Sequence, residues 1–341
     1  MVMKKFINDG ANLTAELMEG FALAHPKQVV VKSAKSGADW DGCIVARAKP
    51  KDKSKVQLVT LGGSGHEPAL SGFVGEGMLD YSVAGDVFAA PGAPKVVEAL
   101  KMAACDAGIL FIVLNHAGDV MSGNMALEMA QKEGIKIRMI LTHEDIAPGA
   151  DAPAEDKRGL VGCVPLYKVA GAAAEAGKSL DEVYAVAEKF NDNMATLAVA
   201  MRGATHPQSG DYIATLEDDQ MEIGMGQHGE AGTGPCKIMS ADDTAKAMLG
   251  SLLKAIKAKK GEKVFVAVNG SGGTTLMEQY IVLRAVKHEL DSAGIVLARC
   301  VVGEMLTVQE MAGFQLFVAK MDDEMAALWD APCDTPALTV R

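Results

Sequence analysis

The chain has 341 residues, 49% of them hydrophobic, which is length enough for more than one hydrophobic core. A formal net charge of −11 argues against a nucleic-acid partner, because neutralising phosphates takes clustered Lys and Arg. No run approaches the ~20 apolar residues of a membrane helix, and the apolar run in MVMKKFINDG is too short for a secretory leader, so a soluble cytoplasmic protein is expected.

In chain order, Asn8 to Ala24 carries Leu13, Leu17, Phe21 and Leu23 at near-helical spacing. Strands are predicted at Gln28–Lys32, Val56–Leu61, Ile109–Asn115 and Ile135–Leu141, with helical character over Ser122–Gly134. Leu160–Phe190 is alanine-rich and helical, the kind of segment that separates domains. Beyond it, Leu197–Met201, Val264–Tyr280, Val296–Val302 and Phe314–Lys320 read as a second set of strands with a strand–glycine loop–helix unit. Strands alternating with helices predict an α/β protein of two αβ domains, residues 1–190 and 191–341, each a mostly parallel or mixed sheet flanked by helices. The five lysines between Lys254 and Lys263 read as a solvated helix end. Cys43, Cys105, Cys163, Cys236, Cys300 and Cys333 show no CxxC pair or Cys/His spacing, so reduced, mostly buried thiols and no metal site are expected.

Three loops carry polar groups that chemistry can use. Gly62-Gly63-Ser64-Gly65-His66-Glu67-Pro68 follows a strand; its glycines let backbone amides approach a ligand, and His66 projects from a strand's carboxyl end. Asp119, just past the next strand, can take a proton from a hydroxyl, although the local pattern favours capping the following helix. Gly224-Met225-Gly226-Gln227-His228-Gly229 matches the dinucleotide fingerprint GxGxxG, but no helix can start in the Gly- and Pro-rich stretch after it, so a dinucleotide-binding oxidoreductase is discounted. What the segment offers is a histidine between glycines, open to a small molecule. Gly270-Ser271-Gly272-Gly273-Thr274-Thr275 lacks the lysine of a P-loop, no Walker A pattern occurs, and a structural turn or subunit contact is the better reading.

Taken together, Gly-Ser-Gly-His-Glu-Pro at 63–68, Asn115 to Asp119, Arg158-Gly159-Leu160, Met221 to Glu230 and the tail Leu328 to Leu338 resemble the substrate-binding subunit of dihydroxyacetone kinase. The resemblance runs nearly end to end. It implies that His228 adds to the carbonyl of a short-chain ketose as a hemiaminal, that Asp119 acts as base on the terminal hydroxyl, and that His66 bonds substrate oxygens. It also implies that Gly62, Gly63, Ser64 and Gly65 amides line the pocket. Mg-ATP and its cradle would belong to a separate helical nucleotide-binding subunit, with no cofactor on this chain, and the chain itself would form a homodimer. Three positions depart from the family pattern: Leu114 stands for a lysine, His116 for a tyrosine and Ala90 for a serine. They leave the ketose open between dihydroxyacetone and a longer one such as a tetrulose. A ligand-sensing relative that signals to a transcription factor is the alternative role.

Overall fold

The computed structural model describes residues 4–33 and 41–341; Met1–Met3, the start of the segment read for a leader, lie outside them. The first half runs α1 (Leu13–Ala24), β1 (Val29–Lys32), β2 (Cys43–Arg47), β3 (Gln57–Ser64), β4 (Tyr81–Val87), α2 (Ala93–Ala103), β5 (Ile109–Leu114), α3 (Ala117–Lys132) and β6 (Ile137–Thr142). Then come α4 (Cys163–Glu175), α5 (Leu180–Asn191), β7 (Met194–Arg202), β8 (Gln220–Ile223), β9 (Pro235–Lys237), α6 (Ala241–Ala255), β10 (Lys263–Gly270), α7 (Leu276–Ala293), β11 (Val296–Gly303), β12 (Ala312–Lys320), α8 (Asp323–Asp330), β13 (Cys333–Asp334) and β14 (Thr339–Val340).

The predicted strands form where apolar β-branched runs occur: ILFIVL of β5 is buried at every position, as a strand covered on both faces must be. Leu160–Phe190 is two helices rather than one, broken at Gly177-Lys178 and restarted by a Ser179/Glu182 capping box. Strands β2 and β4 and helices α2 and α6 are additional to the sequence expectation. In β4 the run Tyr81–Val87 mixes Ser, Gly and Asp among its apolar residues, so its pattern is weak. Helix α6 carried a legible start, Ser240 with its hydroxyl accepting from Asp243 N.

The first sheet has the order β1-β2-β4-β3-β5-β6, with β4, β3, β5 and β6 mutually parallel and β1 and β2 antiparallel. The second has the order β11-β10-β12-β7-β8-β9 and is antiparallel except for β10/β11, the one pair joined by a crossover helix. Helices α2 and α3 cover one face of the first sheet through Val96, Leu100, Ala126 and Ala130. Helices α6 and α7 cover the far face of the second through Met248, Leu252, Val282 and Val286. Between the sheets lie α4 and α5. Every residue of α4 but Glu175 is buried, and one core joins Leu58 and Ile112 of the first sheet to Phe265 and Phe317 of the second. A helix with no solvated stripe needs apolar surface on all sides, which two sheets supply.

One buried ion pair ties the β3–β4 region. Asp80 meets Arg47 at 3.0 Å and Lys51 at 2.7 Å and accepts from Leu58 N at 2.7 Å. Asp80→Ala would leave buried Lys51 without a carboxylate while Arg47 keeps Glu175 at 2.8 Å, and urea melts are expected to show a loss of about 3 kcal/mol. All six cysteines are free; Cys43, Cys163 and Cys333 are buried, whereas Cys236 and Cys300 are exposed, against the expectation of a mostly buried set. Among the described residues no helix is long and apolar enough to cross a membrane.

Candidate functional site

In the first sheet the chain leaves β3 for β4 on one side and returns through α2 to β5 on the other. That makes the carboxyl end of β3 a topological switch point, where open α/β sheets leave a crevice. Three loops meet there: the glycine loop after β3, Phe88–Ala90 after β4, and Asn115–Asp119 after β5. The glycines serve close packing as much as ligand approach. A methyl group on Gly63 would sit 2.7 Å from Ala89 N, so only glycine admits the Phe88–Ala90 loop at this distance. Phe88 holds a positive φ of 54° and sets its ring against His66 and His228, with centroids 5.1 and 5.5 Å away. A left-handed phenylalanine costs of order 1–2 kcal/mol and persists where the surroundings fix it.

The second sheet supplies His228, on the turn after β8. The GxGxxG string turns out to be a histidine mount, with no helix following it. His228 N donates to Glu230 Oε2 at 2.8 Å and its Nδ1 lies 3.3 Å from Glu230 Oε1. A side chain at Gly226 would displace Glu230 Oε2 and Arg158 Nη1, the groups that hold His228 and its turn. Arg158 in turn donates to Asp145 Oδ2 at 2.7 Å and to Gly224 O at 2.8 Å, which holds the turn against the loop after β6.

The cavity so enclosed, about 30 Å³ behind an open mouth, is lined by Gly62, Gly63, His66, Ala90, Leu114, His116, Asp119, Gln227 and His228 with Leu61, Leu70, Phe88, Ala89 and Leu306. All of the expected site residues are there except Ser64 and Gly65. Ser64 is buried with its hydroxyl donating to Gly85 O, and the Gly65 amide is taken up by the carboxylate of Glu67 at 3.0 Å, so neither presents a donor to the cavity. A larger cavity of about 660 Å³ lies under α1 and shares only Gly62, Gly63 and Leu70 with the first. It gathers none of the three converging imidazoles.

Asp119 does not cap α3. His116 is the N-cap residue and Asp119 sits in the first turn, its Oδ1 shut off from solvent with no hydrogen-bond partner. Burial pushes its carboxyl up to about 7, only partly opposed by His228. The local capping pattern lost to tertiary placement.

The imidazoles are oriented from behind. His66 Nδ1 donates to Thr307 O at 2.8 Å, and His116 Nε2 donates to Gly159 O at 2.8 Å. Burial first, then the neighbouring His228, lowers His66 to about 3 and His116 to about 4, so both rings are neutral near pH 7 with one lone pair each. His66 Nε2 and His228 Nε2 are 3.3 Å apart. Because the far nitrogen of each faces an acceptor, a neutral pair would set two lone pairs against each other. An electrophile placed between the rings relieves this. Against the upward push of burial, the bonds from His228 hold the Glu230 carboxyl well below the usual carboxylate range. His116, His228 and Glu230 each bring a ligand atom within 4.8 Å of the others, the one such group among the described residues. Both Glu230 oxygens are already engaged by His228, so the carboxylate serves to orient the ring.

The chain matches the Dak1 domain model over residues 19–337. It belongs to the Dak1 family. It is 39% identical to the dihydroxyacetone-binding subunit DhaK of the PTS-dependent dihydroxyacetone kinase 1 of Listeria innocua, over 98% of this chain and 100% of that one. It is 35% identical to the D-erythrulose kinase of Mycolicibacterium smegmatis, over 98% of this chain but 56% of that protein. Among solved structures it resembles the dihydroxyacetone kinase operon co-activator Dha-DhaQ, at a TM-score of 0.88 and 29% identity, over 96% of this chain and 99% of that one. The two-sheet fold is thus that of the DhaK/Dak1 domains, and the relatives of this Dak1 chain are dihydroxyacetone and erythrulose kinase subunits. Sequence reasoning missed Phe88, Gln227, Arg158 and Thr307 as members of the site. Thr307 lies 241 residues from His66, and nothing local marks it.

Proposed function

We propose that this chain is the ketose-binding subunit of a dihydroxyacetone-type kinase, and that it holds its substrate covalently on His228. The observation that carries the reading is the opposed pair of imidazoles at 3.3 Å, each with its far nitrogen committed to an acceptor. A ketone carbon entering beside His228 takes the Nε2 lone pair; the carbonyl π electrons move to oxygen, which takes a proton from solvent, and the positive charge so gained is held on the adduct's ring beside Glu230. His66 Nε2 then accepts from the new hydroxyl. Asp119 takes the proton of a terminal hydroxyl as that oxygen attacks phosphorus, a role that fits a carboxyl titrating near 7. The site lies between the units proposed at 1–190 and 191–341. Mg-ATP, or another phosphoryl source, would arrive on a separate nucleotide-binding subunit; in this chain the Gly270–Thr275 loop is held by Met311 and Gly313 and caps α7 with a Thr275/Glu278 box. We propose a homodimer of such chains.

Carbon-13 NMR of dihydroxyacetone labelled at its carbonyl tests the capture. On binding, the ketone resonance is expected to give way to a tetrahedral one. A bound ligand that keeps its ketone signal would refute the covalent step. The likeness to the co-activator Dha-DhaQ supports a second reading, a sensor that binds without turnover. Sensing, however, has no use for an unpartnered carboxyl beside the ligand.

A further inference from the structure

We infer that Gln227 is a substrate-distinguishing residue, and that the ketose it serves has four carbons and four oxygens; this rests on the capture reading above. Gln227 is 3% exposed, lines the cavity, and has an Nε2 with no hydrogen-bond partner. The other buried glutamines all have structural work. Gln57 donates to Lys55 O at 2.9 Å, Gln279 donates to Thr274 O at 2.9 Å, and Gln315 accepts from Val161 N at 3.0 Å. Gln279 also leaves its Oε1 without a partner, but its nitrogen is bonded and it lies outside this cavity; what sets Gln227 apart is an unpartnered donor on the cavity wall itself, a cost that a ligand acceptor offsets.

Counting groups gives the ligand. Apart from the capturing ring, four polar side chains line the cavity: His66, His116, Asp119 and Gln227. A three-carbon ketose has three oxygens. The former carbonyl oxygen faces His66, and the hydroxyl to be phosphorylated faces Asp119. The other terminal hydroxyl can donate to the free nitrogen of His116, whose Nε2 is committed to Gly159 O. Gln227 is then left over. Ala90 and Leu114 line the same space and offer no polar side chain that could satisfy it. A tetrulose adds one CHOH, and its hydroxyl supplies the acceptor that the Gln227 amide lacks.

The test is calorimetric titration of the full chain with dihydroxyacetone, D-erythrulose and L-erythrulose, for wild type, the near-isosteric Gln227→Met and, as a second variant, Gln227→Leu. Thermal melts check folding. The expected result is a shift of about tenfold in the ratio of affinities for one erythrulose enantiomer and for dihydroxyacetone, against the erythrulose. An equal loss for all three ligands, or an unchanged ratio, would overturn the inference and leave the capture reading standing. If wild type binds no ketose, the capture reading falls and this inference with it.

Discussion

His228→Ala is expected to lower affinity for dihydroxyacetone roughly 10²–10³-fold while the melting midpoint stays near that of the wild type. A triose has few atoms for hydrogen bonds to grip, so on the capture reading the C–N bond supplies most of the affinity. The ring is only partly buried and projects from a turn, so its removal opens no core cavity. Glu230→Gln is the informative companion. It keeps the size of the side chain but removes the charge that orients Nδ1–H and offsets the adduct, so an intermediate loss is expected. Ligand titration with both variants reads this directly, and unchanged affinity in His228→Ala would sink the proposal that this ring is the nucleophile.

Asp119→Asn is expected to cut phosphorylation about 10³-fold with a competent partner subunit and donor, while ketose affinity stays close to wild type. In the wild type, kcat/KM should rise with pH through about 7 as the carboxyl ionises. Stability should move the other way. The group titrates at 3.8 unfolded and about 7 folded, so folding prefers its protonated form; its favourable contribution belongs to low pH and is lost as pH climbs between those values. Asparagine removes the buried charge. The variant should therefore melt about 2 °C above wild type at pH 8 and close to it at about pH 4. A melting gain confined to high pH, alongside lost turnover, would mark a carboxyl kept for chemistry at the expense of the fold. A variant that turns over normally would leave the sensor reading as the better account of the chain.

Much of this protein was legible in its residues. The apolar runs of β3, β5, β10 and β12 predicted their strands, because a strand covered on both faces has no polar alternation to hide it. The glycine strings at 62–65 and 224–229 marked the two turns, since only glycine lets the Phe88–Ala90 loop and the Glu230 carboxylate approach so closely. The resemblance carried by those strings pointed to His228, Asp119 and His66, and the cavity holds all three.

Only the tertiary structure decided what each group does there. Asp119 reads locally as a cap, and it is the burial of its oxygen by distant segments that makes it a candidate base. Gly65 reads as a ligand-facing amide, but Glu67 takes it first. The tautomers of His66 and His116 are set by Thr307 and Gly159, and Gln227 counts as a site residue only because no protein partner reaches its Nε2. Strand and turn formation depends on neighbours in sequence, which a pattern records. Protonation, tautomer and satisfaction depend on neighbours in space, and those come from loops of both sheets.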